Sequence, residues 1–365
     1  MSPDLLYQWR EEIAIHFPAL NSYQQDNLAL FSLGVIKSES SQQRKIAKKV
    51  VEGERVESAM RRLRRFIANG SLPLQTCFAQ WTRWVLQALV GCEVHLLVDE
   101  TKLGDHLGVM VVGLAWEGRC IPLAWRCYRA NSAEDYPVQG QVAMIVDLLK
   151  QVKAGMPDGQ SALVMADRGI GTSPELCRAI DEELGWRYLL RVTRQSKIVT
   201  DEGDYTIAAM VQPGEIWTAE GRIFKQHGQL PAHAHAIWSD GYDDPWALVS
   251  NDGNLTGYEY AERNWEEQGF RDLKSHGWQW EASGVSDPQH MQILMLILAV
   301  AYGWTLSLGS YAVQYDRAHR LQRHADGSVR RYLSLFNEGL TLFTEWVTRI
   351  GVCLKLCFAP DKRFT

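Results

Sequence analysis

Apolar and polar positions divide the chain into stretches of different rhythm. Over residues 1–90 apolar side chains recur every three or four residues, which predicts helices. Two of these are Ser41–Val50 and Arg55–Ile67. Val51-Glu-Gly-Glu54 is the expected turn between them, its glycine permitting the reversal. Val56, Met60, Leu63 and Ile67 form the apolar stripe of the second helix and leave Arg61, Arg62, Arg64 and Arg65 for solvent or DNA. From residue 93 the rhythm changes to strands. Val94–Val98 is a nearly continuous apolar run ending at Asp99, the pattern of a central buried strand. Leu107–Trp116 and Cys120–Trp125 follow, joined by the turn Glu117-Gly-Arg119. A helix over Val138–Val152 precedes a short buried strand, Ala162–Ala166, which also ends in an acid, Asp167. A helix (Pro174–Leu184) and a strand (Tyr188–Val192) come next. Residues 195–250 alternate in short segments rich in turn residues, and helices resume from about Gly257 to the C-terminus. Ile293–Trp304 has no charged side chain, but a membrane span needs about 20 residues, so it is expected to be a core helix.

The order β-β-β-α-β-α-β, three antiparallel strands and then alternating helices and parallel strands, is that of a ribonuclease-H-like α/β mixed sheet. The expected organisation is a helical DNA-binding region over 1–90, with a candidate helix-turn-helix at 41–67. A core over 91–194 and 251–311 is interrupted by a β-rich insertion at 195–250, and a helical C-terminal region covers 312–365.

Composition narrows the class. The 365 residues are 46% hydrophobic and 22% charged, which excludes collagen-like, disordered and disulfide-scaffold proteins. Seven cysteines form no C-x-x-C, and the start MSPDLLYQWREE lacks a basic segment followed by an apolar one, so a reduced, cytoplasmic protein is expected. A net charge of −5 gives no hint of a nucleic-acid partner, but Lys37–Arg65 holds ten lysines and arginines against four glutamates. That cluster reads equally as a DNA-binding helix pair and as a solvated basic face.

Three acids stand out by position. Asp99 and Asp167 each end a buried strand, and the ends of neighbouring parallel strands are where such a sheet presents ligands. A carboxylate there is also a common helix cap, so the pair carries more than either alone. The strand phase favours Asp99 over its neighbour Glu100. The third acid lies in the expected helix Gly257–Ser275, where Tyr260, Arg263, Glu267 and Lys274 fall within roughly a 60° arc about 21 Å long. A carboxylate flanked by phenol, guanidinium and ammonium suits a metal-binding acid beside phosphate donors, and it equally suits a solvated face with an Arg263–Glu267 pair.

Tyr260-x2-Arg263-x3-Glu267-x6-Lys274 resembles the Y-R-E-K signature of bacterial insertion-sequence transposases of the DDE class. The segments Val98-Asp-Glu-Thr101 and Ala166-Asp-Arg-Gly169 resemble the strand-end blocks that hold that family's first two acids, and the stretch between Asp167 and Glu267 resembles its β-rich insertion. The resemblance covers residues 93–275. It implies that Asp99, Asp167 and Glu267 hold two divalent ions, Mg²⁺ with Mn²⁺ as substitute, at a scissile phosphate. It also implies that Tyr260, Arg263 and Lys274 grip backbone phosphates, and that the protein cleaves transposon ends and joins them to target DNA as a homodimer assembled on double-stranded DNA. Spacing assigns the role to Glu267 and leaves Glu266 dispensable.

Weaker signals are Arg168, which suits a phosphate contact or a structural ion pair, and Trp265 and Trp125, each a stacking platform or a core ring. His233 and His235 lack a third metal ligand. Arg317, Arg320, Arg323, Arg330 and Arg331 read as a solvated face. The alternatives to a transposase are a nuclease of the same fold that cuts without rejoining, a transposase-derived DNA-binding regulator without catalysis, and a protein–protein module.

Overall fold

The computed structural model describes residues 3–51, 55–132, 140–224, 229–274, 277–314, 321–323, 329–331 and 333–358 apart from 354 and 357. The N-terminal helices are α1 (Pro3–His16), α2 (Ser22–Ser38), α3 (Gln43–Val50), α4 (Val56–Ile67) and α5 (Leu74–Leu86). Helices α3 and α4 stand where the charge pattern places them and pack through Ala47, Ala59 and Met60. Residues 52–54 of the expected turn lie outside the described residues.

The strands β1 (Val94–Leu103), β2 (Leu107–Trp116) and β3 (Arg119–Arg129) form an antiparallel trio. Every residue of β2 is buried, because helices cover both faces of the sheet. Helix α6 (Gly140–Gly155) leads to β4 (Ala162–Ala166), which pairs parallel with β1. The short helices α7 (Arg168–Gly171) and α8 (Pro174–Arg178), the second continued by a π-turn, lead to β5 (Arg187–Arg191), parallel to β4. Strand β1 does not end at Asp99 as its apolar run suggests. It continues to Leu103 because β2 pairs with it along that whole length, whereas β4 stops at Ala166.

The stretch 195–250 is β-rich, as expected, but it extends the same sheet. It contributes β6 (Lys197–Thr200), β7 (Gly203–Thr206), β8 (Ile216–Ile223), β9 (Leu230–Ile237) and β10 (Trp246–Ser250). The last of these pairs antiparallel with β5, giving one ten-stranded mixed sheet in the order β3-β2-β1-β4-β5-β10-β9-β8-β6-β7.

Where one helix is expected over 257–275, the chain forms a 3₁₀ segment (Tyr258–Arg263) and then α9 (Asn264–Leu273). Helix α10 (Pro288–Gln314) carries the long apolar run. It is apolar enough to cross a membrane by composition, yet its hydrophobic window is wholly buried inside the protein. An all-round apolar helix needs neighbours on every side, and the N-terminal helices supply them: Trp9 of α1 stacks on Trp304 with ring centroids 4.2 Å apart. Gly303 leaves room for Trp81, whose ring a Cβ there would meet at 2.5 Å. The N-terminal helices α1–α5 therefore share the main core with α10 and the sheet. The C-terminal region is not all helical, since β11 (Leu321–Arg323) pairs with β12 (Val329–Arg331) ahead of α11 (Leu335–Leu342).

Candidate active site

Strand register brings the two strand-end acids together. Val98 of β1 lies beside Ala166 of β4, and Ala166 beside Leu190 of β5. The next residues along these three parallel strands are Asp99, Asp167 and Arg191, presented in a row where β4 and β5 end. Consecutive strand residues face opposite ways, which separates Asp99 from Glu100. Asp99 accepts from Arg263 Nη2 at 2.7 Å, while Glu100 accepts from Gln141 of α6 at 3.2 Å. Asp167 caps α7 by accepting from the Gly169 amide at 2.9 Å, and 41% of its side chain remains accessible.

The 3₁₀ segment and α9 lie across this face, each end held by charge. His95 stands two pleats before Asp99 on the same side of β1 and bonds Glu262 at 2.7 Å. At the far end Asp272 accepts from Arg119 Nε (2.5 Å) and from the Tyr302 hydroxyl (2.9 Å), tying α9 to β3 and α10. Between these anchors the Arg263 guanidinium reaches three acids. Its Nη2 is 2.7 Å from Asp99 and 3.7 Å from Asp167, and its Nη1 is 2.7 Å from Glu267. The three acids singled out in the sequence thus converge on one cation, and Glu267 is the most exposed of them.

Burial pushes the Asp99 carboxyl up to about 6; the Arg263 guanidinium opposes that rise and the neighbouring acids Asp167 and Glu267 add to it. Among the described residues, no three His, Cys, Asp or Glu side chains stand close enough to hold a metal ion as they are. The donor set itself suits a hard divalent ion, being carboxylate oxygen only, and all three acids already reach a shared positive charge. All three are carboxylates, the donor type that Mg²⁺ and Mn²⁺ take, and Arg263 holds the positive charge between them.

The remaining predicted contacts separate. Tyr260 is 4% exposed, its ring packed edge-on against Trp246, so it is chiefly a core residue whose rim lines the cleft. Lys274 follows α9 and donates to Thr101 Oγ1 (2.8 Å) and the Lys102 carbonyl (2.6 Å), and burial lowers its pKa. Arg62 bonds Asn27 at 2.7 Å and lies over the Tyr23 ring. Arg61, Arg64, Arg65 and Arg168 are exposed, and Arg64 also bonds Gln43. The basic helix pair is not free-standing. The Ser41 amide donates to the Trp278 carbonyl (2.6 Å) and Lys45 to Gln279 (3.2 Å), just beyond Lys274. Trp125 is fully buried and Trp265 half-buried. His235 is buried with neither ring nitrogen bonded. Arg317 and Arg320, and the side chains of Arg323, Arg330 and Arg331, lie outside the described residues.

A cleft of about 680 Å³ opens beside the acids, lined among others by Asp167, Arg191, Tyr242, Trp246, Tyr260 and Glu267. Sequence reasoning missed Arg191, although the rule that found Asp99 and Asp167 applies to it equally, since it too ends a parallel strand. Trp246 and Tyr242 carried no local signal, because only the pairing of β10 with β5 brings them to the cleft. Glu266, set aside as dispensable, is 1% exposed beneath the acids, and burial followed by the Asp99 charge raises its pKa far above the carboxylate range. The chain matches no family model and no curated protein sequence.

Proposed function

We propose that the protein is a metal-dependent DNA transposase with a ribonuclease-H-like core, cleaving transposon ends and transferring strands to target DNA. One observation carries the reading. Two strand-end aspartates and Glu267, at the spacing of the Y-R-E-K signature, converge on a single guanidinium at the mouth of an open cleft. The strand order β3-β2-β1-β4-β5, with three antiparallel members and then two parallel to β1, supports the fold assignment.

On this reading Asp99, Asp167 and Glu267 hold Mg²⁺, with Mn²⁺ as substitute. Such ions would activate water, and then the 3′-hydroxyl of the cut DNA, as nucleophile and neutralise charge at the phosphate. Asp99 and Asp167 sit on adjacent strands of a buried sheet, so the frame that positions them is rigid. Arg263 and Arg191 flank the cleft with positive charge for the backbone of the cut strand. Trp246 and Tyr242 give it an apolar wall that limits water. The exposed Arg61, Arg65 and Arg168 supply sequence-independent attraction to duplex DNA.

A second reading has a specific observation in its favour. Arg263 already satisfies the acids, as a purely structural ion-pair cluster in a DNA-binding regulator would. One experiment separates them: DNA carrying the terminal inverted repeats that flank the reading frame, incubated with Mg²⁺ or Mn²⁺ and with the natural chain or Glu267→Gln. The transposase reading expects cleavage at the repeat boundary in the natural chain alone. A strand-transfer product distinguishes it from a nuclease that only cuts. Binding without cleavage by either protein sinks it and leaves the regulator.

A further inference from the structure

Two buried polar groups at the acid cluster lack hydrogen-bond partners, and they are complementary. Arg263 uses both terminal nitrogens on Asp99 and Glu267, but its Nε–H is buried and unbonded. Glu266 is 1% exposed with both carboxylate oxygens unbonded. A buried donor or acceptor without a partner is unfavourable, so each such group calls for an explanation. The two residues are three apart, which puts them on one side of the turn that joins the 3₁₀ segment to α9. Asp99, Arg263, Asp167 and Glu267 are the charges that Glu266 feels. It is therefore buried against the cluster that Arg263 holds together.

We propose that Glu266 is a positioning residue for Arg263, the inner partner to which the guanidinium turns when a divalent cation takes Asp99 and Glu267. This rests on the preceding reading, that the three acids hold such an ion. A guanidinium and a dication compete for the same carboxylate oxygens. An arginine displaced into a dry site with no acceptor would oppose the metal, whereas one whose Nε–H meets a carboxyl oxygen beneath it remains bonded and presents its terminal nitrogens to the cleft. A neutral acceptor is enough for this, so Gln serves in place of Glu and an apolar side chain does not.

The test is calorimetric titration of the full chain with Mn²⁺, without DNA. It compares the natural protein with Glu266→Gln, Glu266→Leu and Glu266→Met, and repeats the last two in an Arg263→Ala background. Thermal unfolding checks that each variant folds, and Met replaces Leu should the branched side chain not pack. The natural chain and Glu266→Gln are expected to bind Mn²⁺ within twofold of each other. The apolar variants should bind roughly fivefold to tenfold more weakly, the worth of one hydrogen bond. In the Arg263→Ala background the apolar substitution should change nothing. Equal weakening there overturns the proposal, because Glu266 would then touch the metal itself. An unchanged affinity in the apolar variants, or Glu266→Gln as weak as they are, overturns it too. If the natural chain binds no Mn²⁺, the metal reading and this proposal fall together. If it binds Mn²⁺, loses it in Asp167→Asn and is indifferent to Glu266, only this proposal falls.

Discussion

Replacing Asp99 by asparagine is expected to stabilise the folded chain at neutral pH while destroying the site. Burial moves the Asp99 carboxyl from 3.8 to about 6. At about 1.4 kcal/mol per pH unit, holding it ionised in the fold costs about 3 kcal/mol. The sign follows from proton linkage. Between 3.8 and about 6 the folded chain binds a proton that the unfolded chain has lost, so stability falls as pH rises through this window. The cost is absent below the window and complete above it. Asparagine cannot ionise, and its single side-chain oxygen keeps one of the two bonds that Asp99 makes through separate oxygens, from the Glu100 amide to Oδ1 and from Arg263 to Oδ2. Urea unfolding in the presence of a chelator at pH 4 and pH 7.5 measures the effect. The variant should match the natural chain at pH 4 and exceed it by up to about 3 kcal/mol at pH 7.5, a midpoint shift of roughly half a molar or more for a chain of this size. A variant less stable than the natural chain at pH 7.5, or a gain independent of pH, would refute the burial argument.

Lys274→Met should cost about 1–2 kcal/mol of stability without any DNA, since it removes the bonds to Thr101 and Lys102; an unchanged unfolding midpoint would mean that the lysine serves phosphate alone. Arg61→Ala with Arg65→Ala should leave stability intact, weaken duplex binding, and lower the salt dependence of log K by about 2, read by fluorescence anisotropy across a salt series. Arg62→Ala should instead lose about 1 kcal/mol of stability through its bond to Asn27. The His95 pKa is raised because the Glu262 contact outweighs burial, so the stability it adds is present below its ordinary value near 6.5 and is lost as pH climbs through the raised one. His95→Gln should therefore cost about 1 kcal/mol at pH 6 and little at pH 9, and a cost that is flat with pH would mean that the imidazole acts by packing alone.

Local pattern determined much of this protein. Ala162–Ala166 and Leu107–Trp116 form strands at the expected residues, because a run of apolar side chains with turn residues at both ends has few other stable solutions. The acids Asp99 and Asp167 were legible for the same reason, since each stands where a buried run meets its first charge. Glu267 was legible only through the spacing of its neighbours. What the sequence could not supply was pairing. Asp99 meets Asp167 because of the register between β1 and β4, and the stretch 195–250 joins the core sheet because β10 pairs with β5. Both are contacts between residues far apart in the chain, and no local propensity encodes them. The change from 3₁₀ to α-helix at Arg263–Asn264 was likewise not legible in the helical spacing, and the packing of Tyr260 against Trp246 depends on the pairing of β10 with β5. Helical spacing alone could not tell Glu266 from Glu267, which differ by one residue and about 100° of rotation. Packing against the sheet buried the first beneath the acids and left the second exposed beside them, because a helix lying on a sheet can turn only one face to the core and one to solvent.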